Sequence, residues 1–151
     1  MSESADPLTD VAWIGLGSNV GNRGAALARL RRELQRDGVV IDAVSSEVLT
    51  RAHGVTAQED FHNQVVRLRS PEPWTPQRWL QHCKTAEVRA GRRETYRWGP
   101  RVADADILLL GARGEVTVRC PGLVVPHEQL HKRAYLSVLL REIGAARADA
   151  S

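Results

Sequence analysis

The chain has 151 residues, 42% hydrophobic and 26% charged, which fits one compact domain with one core. No unbroken apolar run approaches the roughly 18 residues of a membrane span, and Glu3, Asp6 and Asp10 do not make the basic-then-apolar opening of a secretion signal. A membrane protein is therefore not expected, the cytoplasm is, and Cys83 and Cys120 are expected as reduced thiols rather than a disulfide.

Residues 11–16 form an apolar run ending among Gly15, Gly17 and Gly21, after which Leu27, Leu30 and Leu34 repeat at helical spacing up to Asp37-Gly38. This predicts a strand, a tight glycine turn and a helix. Residues 39–50 are rich in β-branched side chains and residues 61–68 alternate, so two strands are expected with the polar stretch 51–60 between them. Thr75 before Pro76 has the chemistry of a helix start, Trp79, Leu80, Cys83 and Ala86 share a face, and Gly91 closes the helix. Residues 105–110 read as a buried strand, 116–118 as a short extra strand and 130–143 as a final helical stretch. The order β-α-β-β-α-β with a C-terminal appendage predicts an α+β, ferredoxin-like antiparallel sheet with both helices packed on one face. Residues 11–144 are expected to form a single domain between flexible ends at 1–10 and 145–151.

The net charge is only +3, but 19 of the basic residues are arginines, and Arg89, Arg92, Arg93, Arg97 and Arg101 cluster just before a pair of aspartates. Guanidinium forks suit phosphate oxygens bidentately, which favours an anionic ligand over a solvated basic loop. Asp104 and Asp106, two apart in a strand, project from the same face with Cα atoms about 6.6 Å apart. Such a pair can share magnesium while substrate phosphates complete the coordination. With Arg97-Trp98-Gly99-Pro100-Arg101 immediately upstream, metal, cations and a stacking surface together describe a nucleotide-phosphate site. The glycines at 15, 17 and 21 miss the dinucleotide fingerprint by one residue, and no P-loop occurs. Phe61 and Asn63 share a strand face where a planar heterocycle could stack and pair, although a core aromatic beside an edge amide reads equally well. His127, after Val125-Pro126, fits either a phosphate contact or a structural turn. Neither cysteine, nor Ser18, shows the partner of an activated nucleophile.

Ile14-Gly15-Leu16-Gly17-Ser18-Asn19, Gln58-x-Asp60-Phe61-x-Asn63, Glu87-x-x-x-Gly91-Arg92, Arg97-Trp98-Gly99-Pro100-Arg101-x-x-Asp104-x-Asp106-Ile107 and Val125-Pro126-His127 together resemble the 6-hydroxymethyl-7,8-dihydropterin pyrophosphokinases. The resemblance runs in order from about residue 11 to 143. It implies transfer of the β,γ-diphosphate of ATP to a reduced pterin in folate synthesis, with two Mg²⁺ ions held by Asp104 and Asp106. It further implies that Arg92 and Arg101 clamp the triphosphate, His127 and Arg133 steady it, and Glu87 and Ile107 line the nucleotide site. Phe61 and Tyr135 would sandwich the pterin, Asn63 would read its edge, Thr50 would add polar contacts, and Trp98 would close over both substrates. A small-molecule enzyme acting as a monomer, without nucleic acid or membrane, is the expectation.

Four positions depart from the family pattern. Glu94 stands where a second arginine is usual, Arg51 where proline is common after Thr50, Val124 where a hydroxyl residue precedes Val125-Pro126-His127, and Gly122 where a basic residue can occur. The segment after Ile143 is also short. These departures motivate the alternative of a catalytically silent relative that binds pterin or nucleotide. A basic nucleic-acid-binding module is the further alternative, suggested by the sequence pI of about 9.3, but the chain lacks the aromatic-basic strand motif of such modules.

Overall fold

The computed structural model describes residues 7–18, 23–50, 61–91 and 103–145. In chain order they form β1 (Thr9–Ser18), α1 (Arg23–Leu34), β2 (Val40–Val44), β3 (Val48–Thr50), β4 (Phe61–Trp74), α2 (Pro76–Arg89), β5 (Asp104–Leu110), β6 (Val118–Cys120), β7 (Leu123–Val125), a 3₁₀ turn (Glu128–His131) and α3 (Ala134–Glu142). The main sheet runs β2-β4-β1-β5, antiparallel throughout, and β3 also pairs with β4. Counting β2 and β3 as one interrupted strand, this is the expected α+β split β-α-β arrangement.

Side-chain alternation divides the sheet between two cores. Ala12, Ile14 and Leu16 of β1, with Val66, Leu68, Ala105 and Ile107, meet Leu27, Leu30 and Leu34 of α1 and Trp79, Cys83 and Ala86 of α2. On the opposite face Val11, Trp13 and Val65 pack with Leu108 and Leu109 under Leu136, Leu139 and Leu140 of α3. Both Leu108 and Leu109 can face α3 because the β1–β5 register shifts between Trp13 and Ile14. Such a bulge places one extra residue in one strand and re-aims its side chains. The appendage is thus the cover of the second sheet face.

Several boundaries differ from expectation for identifiable reasons. The strand expected over 39–50 is broken at Ser45, whose hydroxyl accepts the Val65 N–H at 2.9 Å and so takes the place of a ladder carbonyl. The strand expected over 61–68 continues to Trp74 despite Pro71 and Pro73, with an irregular register between Thr9 and Val11 where the β1 pairing resumes. Val116 makes only an isolated bridge to Leu110, and the extra strands are a small hairpin, β6 and β7, turned at Pro121-Gly122. The final helical stretch splits into the 3₁₀ turn and α3. Cys83 and Cys120 are free thiols, as expected, and no described helix is long and apolar enough to cross a membrane. Most of the expected flexible ends, residues 1–6 and 146–151, lie outside the described residues.

α2 begins as its sequence predicts. The Thr75 hydroxyl accepts the Arg78 N–H at 3.1 Å, and Pro76 occupies the first turn, where no N–H is needed. Replacing Thr75 with Ala is expected to lower unfolding free energy by about 1 kcal/mol, read from urea denaturation, while leaving any catalytic rate unchanged.

Candidate active site

The floor of the site comes from β1. Gly17 pairs with Asp104 and Gly15 with Asp106 across the β1–β5 ladder, and Gly17 also faces Asn63 of β4. A Cβ on Gly15 would lie 3.2 Å from Leu108 Cδ1, and one on Gly17 would lie 3.5 Å from Asn63 Oδ1. These two glycines were expected in a turn but lie inside the strand. Their value is the missing side chain, which keeps the floor low between the two carboxylates and the amide.

Above this floor opens a cleft lined by Phe61, Asn63, Asp104, Asp106, His127, Arg133 and Tyr135, with Leu108, Gln129 and Leu136 between them. Seven of the residues singled out from sequence therefore converge, carried by β4, β5, the 3₁₀ turn and α3. A second cleft runs along the outer edge of β5, lined by Leu80, Lys84, Ala105, Ile107, Gly122, Leu123, Val124 and Glu128. Asp106 and His127 belong to both clefts and mark their junction. Ile107 lines this second cleft together with two of the departures from the family pattern, Gly122 and Val124.

Several polar groups are already oriented. The Asn63 amide nitrogen donates to Thr50 Oγ1 at 2.9 Å and to the Phe61 carbonyl at 3.3 Å, which fixes the amide with its NH₂ toward β3 and its oxygen over Gly17. Thr50 accepts in that bond, so its own hydroxyl proton is left to donate elsewhere. His127 Nδ1 accepts the Gln129 N–H at 3.0 Å, and the His127 N–H donates to the Leu108 carbonyl at 3.0 Å. A backbone N–H can only donate, so neutral His127 carries its proton on Nε2. The structural and functional readings of this histidine are therefore compatible.

Glu87 is 3% exposed and lies behind the wall of the second cleft, where its Oε2 accepts the Ala105 N–H at 2.8 Å. Arg92, Trp98 and Arg101, together with Arg51 and Glu94, lie outside the described residues. Lys84 was not singled out from sequence. It stands four residues after Leu80 and three before Glu87 on α2, a helical spacing that could have revealed it.

Residues 13–145 match the family described as 7,8-dihydro-6-hydroxymethylpterin-pyrophosphokinase (HPPK). The chain is 37% identical over 133 residues to the 2-amino-4-hydroxy-6-hydroxymethyldihydropteridine pyrophosphokinase of Methylorubrum extorquens, covering 87% of this chain and 81% of that protein. The enzymes of the same name from Aquifex aeolicus and Bacillus subtilis are 36% and 34% identical, over 87% and 90% of this chain and 78% and 79% of theirs. The chain belongs to the HPPK family.

The charges gathered at this junction are costly in the bare protein. Asp106 opens into the junction of the clefts, yet the surrounding protein desolvates its carboxyl and raises its pKa. A protonated His127 opposes that rise, the Asp104 charge adds to it, and Lys84 and Arg133 oppose it more weakly. Cys83 behind the sheet is pushed far up, first by burial and then by the negative charges of Glu87 and Asp106, so it stays a neutral thiol. A carboxyl whose folded pKa is raised costs stability while ionised, and the cost disappears as pH falls through that raised value. Asp106→Asn is accordingly expected to raise the melting temperature in chelator at neutral pH. Melts at successively lower pH should show the gap between variant and wild type closing, whereas a variant less stable at every pH would contradict the assignment.

Proposed function

We infer that the chain transfers the β,γ-diphosphate of ATP to the hydroxymethyl oxygen of 6-hydroxymethyl-7,8-dihydropterin, releasing AMP, as a step of folate biosynthesis in the cytoplasm. The observation that carries this reading is the meeting of two clefts at Asp106 and His127, one with an aromatic-and-amide lining and the other along the β5 edge. The first suits a planar heterocycle and the second a nucleotide, which leaves the reacting groups to meet at the shared carboxylate.

Asp104 and Asp106 fit magnesium. They project from one strand face over a glycine floor, and among the described residues no group of three His, Cys, Asp or Glu side chains forms a closed metal cage. Two carboxylates with the remaining positions left to phosphate oxygens and water is how proteins commonly hold this ion. Two Mg²⁺ ions are proposed, which when bound would neutralise charge on the phosphates and on the oxygen leaving with AMP. The pterin hydroxymethyl oxygen attacks Pβ, the bond from Pβ to the α,β-bridging oxygen breaks with its electron pair going to AMP, and the alcohol proton passes to solvent.

The chain's own groups would then act by alignment and electrostatics, as phosphoryl-type transfer generally requires. Phe61 of β4 and Tyr135 of α3 both line the first cleft and would stack on the pterin, while Asn63 Oδ1 and the Thr50 hydroxyl would read its hydrogen-bonding edge. His127 Nε2–H and Arg133 would donate to phosphate. His127 in its neutral form cannot also accept the alcohol proton, because its other nitrogen is committed to Gln129. Ile107 would pack on the nucleotide, Arg92 and Arg101 would clamp its phosphates, and Trp98 would cover the substrates. No protein nucleophile is used, and the protein is proposed to act as a monomer without nucleic acid.

Incubation with ATP and Mg²⁺ is expected to yield AMP only when the pterin is added; pterin binding without AMP would instead identify a silent relative. Asp104→Asn and Asp106→Asn should each reduce turnover by at least about 10²-fold, as loss of a preorganised charge partner does, with the fold retained by circular dichroism. Asn63→Ala should raise the pterin KM about tenfold, the equivalent of one hydrogen bond, with the ATP KM unmoved.

A further inference from the structure

Among the described residues β5 is an edge strand of the main sheet: β1 pairs along one side, and on the other only Val116 bridges to it, at Leu110. An edge exposes backbone groups that the ladder does not pair, and at the point where the metal carboxylates leave the strand such looseness would be harmful. The Ala105 N–H belongs to the peptide joining Asp104 to Ala105, the first link between the two aspartates. Glu87, two residues before the end of α2, supplies its acceptor at 2.8 Å from a position 3% exposed to solvent. The glutamate's other oxygen lies 3.8 Å from Lys84 Nζ, which reaches back along the same helix. A buried carboxylate is thus placed within a few residues of two others, at an electrostatic cost that a neutral acceptor would avoid. Its negative charge also contributes to holding Cys83 as a thiol.

We propose that Glu87 is the positioning residue of the Asp104–Asp106 pair: by accepting the Ala105 N–H it clamps the intervening peptide to α2 and sets the relative direction of the two carboxylates. This inference rests on the magnesium reading of the pair but assigns Glu87 a role different from lining the nucleotide site. The bond is charge-assisted and buried, which makes it stronger and more directional than a contact to water. Partners that orient metal ligands from behind commonly change metal affinity or activity by about 10- to 100-fold when removed. Glu87 touches neither substrate nor metal in this scheme, and acts only through the backbone of β5.

Two substitutions separate the possibilities. Glu87→Ala removes the acceptor, whereas Glu87→Gln keeps an oxygen at the same place without the charge. Mn²⁺ affinity is measured by electron paramagnetic resonance with a non-hydrolysable ATP analogue present, a readout independent of turnover, alongside the Mg²⁺ dependence of AMP formation. Glu87→Ala is expected to weaken Mn²⁺ binding and raise the half-saturating Mg²⁺ about tenfold with the pterin KM unchanged, and Glu87→Gln to restore most of both. Hydrogen exchange at the Ala105 amide should quicken in the alanine variant and stay slow in the glutamine variant. If Glu87→Ala instead raises only the ATP KM, or lowers only the melting temperature, the proposal is overturned. Should the alanine variant not fold, a glutamine variant with fast Ala105 exchange and unaltered Mn²⁺ affinity would overturn it equally. Absence of AMP from the wild type would count against the catalytic reading, while the Mn²⁺ measurement would still judge the clamp.

Discussion

The pairing of β1 with β5 is the constraint on which the remainder of the site rests. In that ladder Gly17 stands opposite Asp104 and Gly15 opposite Asp106, so each carboxylate faces a neighbour with no side chain. Two steps further along, the register shift turns Leu108 and Leu109 toward α3 while Ile107 stays with α1 and α2. One strand therefore serves three purposes: it presents charge at its open end, closes the helix-side core in its middle, and anchors the appendage at its far end. A one-residue slip would exchange the two faces and bury the aspartates among Leu27 and Trp79.

That arrangement sets function against stability. Asp104 and Asp106 sit close together where the protein partly desolvates Asp106, and Glu87 adds a third carboxylate behind the strand. Lys84 and Arg133, and His127 only if its ring gives up the Gln129 bond to take a second proton, offset the cost only partly. A carboxylate whose charged form the fold disfavours gains when a cation arrives beside it, which suits the magnesium proposed for this pair. The folding energy comes from elsewhere, in the two leucine-rich cores on either side of the sheet.

How much of this was legible in sequence depended on whether a local signal dominated. The Leu27, Leu30 and Leu34 repeat, the Thr75-Pro76 start and the Asp104-x-Asp106 alternation each carry their own periodicity, and each appears where read. Gly15 and Gly17 misled because glycine usually signals a turn, whereas here its role is defined by groups on two neighbouring strands, far away in sequence. The break at Ser45 and the bulge at Leu108 were invisible for the same reason: both are set by a partner strand. The β6–β7 hairpin did have a signal in Pro121-Gly122, but its three-residue strands are too short to show alternation. Phe61, Asn63 and His127 could be nominated singly, and Arg133 and Tyr135 only through the family resemblance; the fold brings all five into one cleft. The arginine-rich segment, the strongest compositional clue to phosphate, lies outside the described residues.

The two walls of that cleft are also tied to each other. Tyr135 and Leu136 belong to α3, and at the far end of the same helix Glu142 receives hydrogen bonds from the Ser46 N–H and, at 2.9 Å, from the Ser46 hydroxyl. Ser46 lies in the short link between β2 and β3, and β3 ends at Thr50, the partner of Asn63. A chain of contacts thus runs from Tyr135 through α3 and β3 back to the amide on the cleft floor. Surface carboxylate bonds of this kind contribute little to global stability. Their effect here is geometric: the apolar packing of α3 on the sheet is non-directional and tolerates small sliding, whereas a hydrogen bond has a direction. The Glu142–Ser46 link opposes such sliding. It ties the helix that carries Tyr135 to the strand whose Thr50 bonds Asn63, the two walls between which the proposed heterocycle would lie.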